Sequence, residues 1–149
     1  MAARGSPGAR HSPRQVHQPA LVDETVDLLR IGGHQLVIDA TVGLGGHAEH
    51  FLEKLGRGGK LFGIDADPES LKLASKHLEK FGDRATVVQG NFAQIDTIAK
   101  AKGFSQVDVI FFDLGISSWQ LEQARFGFSF ARSGPLDMRI NPDQILVAE

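Results

Sequence analysis

Four short apolar runs that alternate with helical segments constrain the fold of this chain more than any other feature. The runs are QLVIDA, KLFGID, ATVVQG and VDVIFFDLG, which span residues 35–40, 60–65, 85–90 and 107–115. The segments between them place apolar residues at helical spacing. Strands of this kind that alternate with helices are typical of a parallel sheet covered by helices on both faces. The sequence therefore predicts an α/β fold.

Polar residues follow the apolar runs, at the positions where parallel sheets bind ligands. The carboxylates of Asp39, Asp65 and Asp113 and the amide of Asn91 lie at or just after the ends of the predicted strands. Any one of them could be a helix or turn cap. Because the carboxyl ends of parallel strands share one edge of the sheet, the four together favour a binding site at that edge.

The first predicted strand leads into a glycine-rich turn, DATVGLGGH, at residues 39–47. Glycine tolerates positive φ and lets the backbone approach a ligand closely. Gly43, Gly45 and Ala48 match the weak form of the dinucleotide fingerprint. Asp65 follows at the distance where an acid can hydrogen-bond ribose hydroxyls. We therefore expect an adenosine-containing cofactor.

Asp39 distinguishes between two such cofactors. A carboxylate directly before the turn would repel a pyrophosphate, but it could pair with the ammonium of an amino-acid group. S-adenosylmethionine carries that ammonium and no phosphate, and its carboxylate suits the N–H groups at the start of the next helix. The charge favours S-adenosylmethionine and leaves an NAD-dependent oxidoreductase as the alternative.

Composition excludes several other classes of protein. The chain has no cysteine, and its six histidines show no metal-site spacing, so we expect no metal. No apolar stretch approaches the roughly 18 residues of a transmembrane helix, and the N-terminus has no signal-peptide h-region. We therefore expect a cytoplasmic protein without membrane contact. Residues 1–15, rich in Gly, Ser, Pro and Arg, predict a disordered basic tail.

Six motifs together resemble the RsmH family, also called MraW. They are HQPALVDETVDLL (17–29), DATVGLGGH (39–47), GIDADP (63–68), DLGISSWQL (113–121), GFSF (127–130) and GPLDMR (134–139). That family comprises bacterial S-adenosylmethionine-dependent methyltransferases that modify N4 of a cytidine in the decoding region of 16S ribosomal RNA. The resemblance implies a Rossmann-like methyltransferase fold, this cofactor, and 16S rRNA in the small ribosomal subunit as partner.

The resemblance also implies roles for single residues. We expect the methionine portion of the cofactor to be held by Gly45, Gly46 and His47. We expect Asp65 to hold the ribose and Phe92 to lie against the adenine. The cofactor site would be completed by Asp113 and Gln120. Asp39 completes the predicted cofactor site on the charge argument above. For Asp113 we also expect a catalytic role, because its position after the fourth strand would let it accept a hydrogen bond from the cytosine amine. A backbone carbonyl in the following loop is the alternative.

The chain departs from the family pattern in two places. Arg125 and Phe126 stand where the family commonly has Glu-Arg before GFSF. Family members also continue through a helical insertion and further strands, so residues 16–149 are expected to be the N-terminal part of a methyltransferase domain whose sheet is incomplete at the C-terminus. A truncated cofactor-binding module without activity is a second interpretation.

Beyond Gly115 the periodicity weakens, and a long loop over the site is expected. This region mixes aromatic side chains with arginines, and its members are Trp119, Phe126, Phe128, Phe130, Arg125, Arg132 and Arg139. Such a mixture suits stacking on an unpaired base and neutralising phosphate. The aromatic side chains could equally form a small core under the loop.

Overall fold

The computed structural model describes residues 19–145 and 147–148 of the chain, so the predicted basic tail lies outside the described residues. The helices and strands, in chain order, are α1 (Val22–Leu28), β1 (Leu36–Asp39), α2 (Gly46–Lys54), β2 (Lys60–Asp65), α3 (Pro68–Leu78), β3 (Ala85–Gln89), α4 (Ile95–Ala101), β4 (Val109–Phe111) and α5 (Ser118–Glu122). Short 3-10 turns lie at Glu79–Arg84, Phe92–Gln94 and Ala124–Phe126.

The four strands form one parallel sheet in the order β3-β2-β1-β4. In the register, Ile38 of β1 lies beside Phe62 of β2 on one side and Ile110 of β4 on the other. The strand order reverses between β1 and β4, because the chain moves outward from β1 through β2 and β3 and then returns to the opposite side of β1. Ligands bind at such a switch point in open α/β sheets. The predicted α/β fold is confirmed.

Side chains of the strands alternate between two apolar layers, as the pleat requires. Val37 and Leu61 pack with residues of α1, α2 and α3 on one face of the sheet. Ile38 and Phe62 pack with Ala99 of α4 on the other. Both faces are therefore covered by helices, as the continuous apolar runs predicted.

The structure differs from the sequence expectation at three element boundaries. Helical spacing of apolar residues in the sequence predicts a first helix from Pro19 to Leu29, but α1 begins at Val22, because Leu21 adopts a left-handed conformation with φ of 56°. Strand β4 ends at Phe111, so Asp113 lies in the segment after the strand. The expected long loop after Gly115 contains α5, which a reciprocal capping box at Ser117 starts.

Arg84 stabilises the C-terminal end of α2. Its guanidinium donates to the carbonyl oxygens of Leu52 at 2.7 Å and Leu55 at 3.1 Å, and its Nε donates to Gly59 at 3.1 Å. The last carbonyls of a helix have no partner within the helix. One side chain thus satisfies the end of α2 and the loop that leads into β2.

We expect Arg84→Ala to lower the free energy of unfolding by about 1–3 kcal/mol, because three carbonyl oxygens lose a charged donor. Urea unfolding followed by circular dichroism measures this loss. Arg57→Ala is the matched control, since Arg57 is exposed on the neighbouring loop. Equal urea midpoints for the two variants would contradict the role of Arg84.

Candidate cofactor site at the carboxyl ends of the strands

A cleft of about 350 Å³ opens at the switch point between β1 and β4. The turn after β1, the end of β2, the segment after β4 and Pro19-Ala20 line it. Six of the eight predicted cofactor residues are among the lining residues, namely Gly46, His47, Asp65, Phe92, Asp113 and Gln120. The remaining two lie behind the surface of the cleft. Residues that are distant in sequence therefore meet where the strand ends predicted a site.

Both the backbone conformation and the close packing of the turn require glycine. Gly43 has φ of 52° and Gly45 has φ of 88°, a conformation that costs other residues energy. Gly45 starts α2, and a β-carbon there would approach the side chain of Leu78 to 3.3 Å. A β-carbon at Gly46 would overlap the ring of Pro19, so the N-terminal segment (residues 19–21) lies directly against the turn.

The carboxylate of Asp65 is held by the backbone of two turns. Its Oδ2 accepts a hydrogen bond from the N–H of Gly43 at 2.8 Å, and its Oδ1 accepts one from the N–H of Asp67 at 3.0 Å. Burial raises the pKa of Asp65, and these hydrogen bonds oppose that rise. Each oxygen keeps a lone pair, so the oriented carboxylate can accept hydrogen bonds from two neighbouring hydroxyl groups.

Asp39 lies beneath the cleft and is only 1% exposed. Its Oδ1 accepts a hydrogen bond from the N–H of Thr41 at 3.1 Å. Burial, together with the negative charges of Asp65 and Asp113, raises the pKa of Asp39 to about 7, and the hydrogen bond from Thr41 opposes this rise. A direct ion pair between Asp39 and a cofactor ammonium stays a prediction.

Asp113 is tied to β1 through its backbone and faces the cleft with its side chain. The N–H of Asp113 donates to the hydroxyl of Thr41 at 2.7 Å, across the switch point. The carboxylate is 63% exposed, and its Oδ2 lies 3.7 Å from Nδ1 of His47. His47 itself is buried, with Nε2 3.1 Å from the carbonyl oxygen of Ala20. Thr41 and Ala20 are the two contributors to this arrangement that the sequence did not reveal.

Phe92 and Gln120 also line the cleft. Phe92 is 45% exposed and meets the edge of Phe112 at 90°, with 5.8 Å between the ring centroids. Gln120 is buried, and its Oε1 accepts a hydrogen bond from the N–H of Ser117 at 2.9 Å as half of the capping box. The capping box uses the amide oxygen and leaves the NH₂ group as a donor. The site therefore offers an aromatic face and a fixed amide.

The donor set fits S-adenosylmethionine better than a dinucleotide. Asp65 suits a diol, the exposed face of Phe92 suits a purine, and the N–H groups at the start of α2 suit a carboxylate. No lysine or arginine of the described residues lines the cleft, so a pyrophosphate would find no cationic partner there. Among the described residues no cluster of three or more histidines and carboxylates could hold a metal ion.

Arg125 stands at one of the two positions before GFSF where the chain departs from the family pattern, and the structure shows its partners. Its guanidinium lies 3.1 Å from the carboxylate of Glu69 and 3.6 Å from that of Asp67, which is fully buried and starts α3. It also stacks on Phe126, 4.0 Å from the ring centroid, and lies 5.8 Å from that of Trp119. Arg125 thus joins the segment after α5 to the start of α3.

The aromatic side chains after Gly115 divide between the two expected roles. Phe126 is 2% exposed and packs against Phe128, with 5.6 Å between the ring centroids, as a small core. Phe130 is fully exposed. Arg139 is engaged by Asp137 through two hydrogen bonds of 2.6 and 2.8 Å. The core interpretation therefore holds for Phe126, whereas contact with RNA remains open for Phe130.

Comparison with solved structures gives the class of protein. An S-adenosylmethionine-dependent O-methyltransferase from Thermotoga maritima matches 68% of this chain and 37% of its own, with a TM-score of 0.53 and 25% identity. A protein-L-isoaspartate O-methyltransferase matches 66% of this chain and 30% of its own, with a TM-score of 0.56 and 20% identity, which supports the fold alone. The fold is that of a Rossmann-like S-adenosylmethionine-dependent methyltransferase.

The family follows from the sequence comparisons. A family model described as the MraW methylase family matches residues 14–149. Ribosomal RNA small subunit methyltransferase H of Heliobacterium mobile is 41% identical over 133 residues, which are 89% of this chain and 43% of that protein. The same-named protein of Mycolicibacterium smegmatis is 39% identical over 146 residues, which cover 93% of this chain and 39% of that protein. The chain belongs to the MraW methylase family.

The chain spans about two fifths of the length of the curated relatives it matches. The cofactor predicted from the charge at Asp39 is confirmed, since the family and fold are those of S-adenosylmethionine-dependent methyltransferases. The alternative of an NAD-dependent oxidoreductase has no support.

None of the helices within the described residues has the length and apolar character that crossing a membrane requires.

The raised pKa of Asp39 predicts how stability depends on pH. In the unfolded chain Asp39 ionises near its ordinary pKa of 3.8, whereas the folded chain keeps the proton up to about pH 7. The free energy of unfolding therefore falls as pH rises through that window. We expect Asp39→Asn, which is always neutral, to be more stable above about pH 7 by on the order of 1–3 kcal/mol, with the gain vanishing near about pH 4.

Urea unfolding at several pH values tests this expectation. Asp83→Asn is the control, because Asp83 is exposed in the turn before β3. A stability difference between Asp39→Asn and the unsubstituted chain that stays constant across pH would show that Asp39 ionises normally in the folded state.

Proposed function

We propose that the protein is a methyltransferase that transfers the methyl group of S-adenosylmethionine to N4 of a cytidine in the decoding region of 16S ribosomal RNA. The observation that carries this proposal is the cleft at the switch point, which collects residues of the family motifs from the ends of β1, β2 and β4. Membership of the MraW methylase family supports the reaction and the relatives' name supports ribosomal RNA as substrate. The site of action would be the cytoplasm.

In the proposed site the cofactor supplies an electrophilic methyl group on a sulfonium. The residues that would hold it are those of the predicted site, namely Asp39, Gly45, Gly46, His47, Asp65, Phe92, Asp113 and Gln120. Asp65 would accept hydrogen bonds from the ribose hydroxyls, because its carboxylate is fixed by Gly43 and Asp67. Phe92 would lie against the adenine. Asp39, whose ionisation burial holds back below about pH 7, would become negatively charged when it pairs with the ammonium of the methionine portion.

Asp113 would act on the substrate amine. Methyl transfer to an exocyclic amine requires alignment of the nitrogen with the methyl group and removal of one proton from that nitrogen. The Asp113 carboxylate is exposed to the cleft while its backbone is anchored to Thr41. It can therefore accept a hydrogen bond from the amine and then the proton. Two exposed residues, Phe130 and Arg132, are candidates for RNA contact. They precede Ile140 in the sequence, and Ile140 lines the cleft.

A second function remains open because the chain spans about two fifths of its relatives. Under this alternative it is a cofactor-binding module that does not methylate RNA by itself. The residues around the cleft that would hold the cofactor are the same in both cases. Binding of cofactor and transfer to RNA must therefore be measured separately.

Cofactor binding is measured by calorimetric titration with S-adenosylhomocysteine. We expect saturable binding that Asp65→Ala weakens at least about tenfold, because the variant leaves the ribose hydroxyls without a charged acceptor. Asp83→Ala is the control, since it removes an exposed carboxylate away from the cleft. Equal affinity in both variants would exclude Asp65 from the cofactor site.

RNA methylation is measured with purified small ribosomal subunits and a labelled methyl donor, followed by mass spectrometry of the nucleosides. We expect N4-methylcytidine to form, and we expect Asp113→Asn to lower kcat by about 100-fold or more, because the amide cannot take the amine proton. Methylation at another atom would contradict the proposed specificity. Saturable cofactor binding without any methylation would favour the binding module.

A further inference from the structure

His47 lies between two hydrogen-bond acceptors at the side of the cleft. Its Nε2 is 3.1 Å from the carbonyl oxygen of Ala20, and its Nδ1 is 3.7 Å from Oδ2 of Asp113. The ring is 8% exposed and packs against Phe111 at 4.9 Å and Phe51 at 6.1 Å between centroids. These two aromatic rings fix the plane of the imidazole, so each of its nitrogens can form a hydrogen bond in only one direction.

The two acceptors determine which nitrogen of neutral His47 carries the proton. A backbone carbonyl oxygen can only accept, so Nε2 must hold the hydrogen in the bond to Ala20. Nδ1 then presents a lone pair toward the Asp113 carboxylate. A lone pair and a carboxylate attract one another only when a proton lies between them. The pair of side chains is therefore arranged to receive a proton.

We infer that His47 is the second proton acceptor of the methyl transfer, placed behind Asp113. The inference rests on the proposed function, because it concerns the proton that the substrate amine loses. The amine nitrogen uses its lone pair to bond the methyl carbon while the carbon–sulfur bond breaks and its electron pair stays on sulfur. The amine proton passes to Oδ2 of Asp113 and then to Nδ1 of His47.

The products of this step balance in atoms and charge. The positive charge of the sulfonium ends on the imidazolium of His47, where Nε2–H stays bonded to the Ala20 carbonyl and Nδ1–H faces the restored Asp113 carboxylate. Both partners accept from a protonated ring, so this state is stabilised on both sides. Release of product exposes Asp113 to water again, and the proton leaves by the same route.

Other charged or titratable groups lie on the elements around His47. Asp65 and Asp113 lie close enough to Asp39 for their charges to act on that carboxyl group. On α2 itself, His50 hydrogen-bonds the carbonyl of Gly46 through Nδ1 at 2.9 Å, and Glu49 is engaged by His77. The first turn of α1 contributes Asp23 and Glu24. The Asp113 carboxylate is the charged group that lies within ion-pair distance of the His47 ring.

A purely structural role for His47 is the competing explanation. The bond from Nε2 to Ala20 fastens the N-terminal segment to the glycine turn, and that function needs only a donor at the Nε2 position. Two substitutions separate the explanations. His47→Gln places an amide NH₂ near the position of Nε2 and keeps the bond to Ala20, but it removes the basic Nδ1. His47→Asn places its amide near Nδ1 and loses the bond to Ala20.

The tautomer of His47 is measured first, by nitrogen NMR of the imidazole rings in the full chain, with His47→Gln to assign the signal. We expect neutral His47 to carry its hydrogen on Nε2. His50 is the internal control, and the bond from its Nδ1 to Gly46 predicts the opposite tautomer. A hydrogen on Nδ1 of neutral His47 would overturn the inference, because the lone pair would then face Ala20.

Kinetics of rRNA methylation then test the proton transfer. We expect His47→Gln to lower kcat, measured at saturating S-adenosylmethionine, by about tenfold to 100-fold and to change the acidic limb of its pH profile. His47→Asn should be slow as well. Wild-type kcat and pH profile in His47→Gln, with loss only in His47→Asn, would establish the structural role. Absence of methylation by the wild-type enzyme would defeat the proposed function itself.

Discussion

The hydrogen bond between the Asp65 carboxylate and the N–H of Gly43 is the interaction on which the site depends most. It joins the turn after β1 to the end of β2, at 2.8 Å, with the carboxylate largely withdrawn from water. A second bond, from the N–H of Asp67, fixes the other oxygen. The glycine turn therefore has its shape set by a neighbouring strand. The start of α2, which follows the turn directly, is positioned in part by this link.

A second link crosses the switch point in the other direction. The hydroxyl of Thr41 accepts from the N–H of Asp113, so the segment after β4 is anchored to the turn after β1. The two links surround the cleft with three acidic side chains, and burial makes one of them, Asp39, reluctant to ionise. A cleft of this kind attracts positive charge. The sulfonium and ammonium of S-adenosylmethionine have that charge, and a pyrophosphate does not.

The sequence predicted the fold and the edge of the sheet at which the cleft lies, because both depend on local patterns. Apolar runs marked the strands, and Asp39 and Asp65 ended two of them, so their meeting at one edge followed from parallel topology. The contacts of Ala20 and Arg125 could not be predicted, since each joins segments distant in the chain. Helix α5 could have been found: Ser117 and Gln120 have the spacing of a capping box, a local signal that the weak periodicity around it obscured.

The contact between Pro19 and Gly46 links the evolution of two motifs. Any side chain at position 46 would need the space that the proline ring fills. A mutation there becomes tolerable only in a lineage whose N-terminal segment has already moved away, and that segment also holds the carbonyl bonded to His47. Positions 19 and 46 should therefore vary together during divergence.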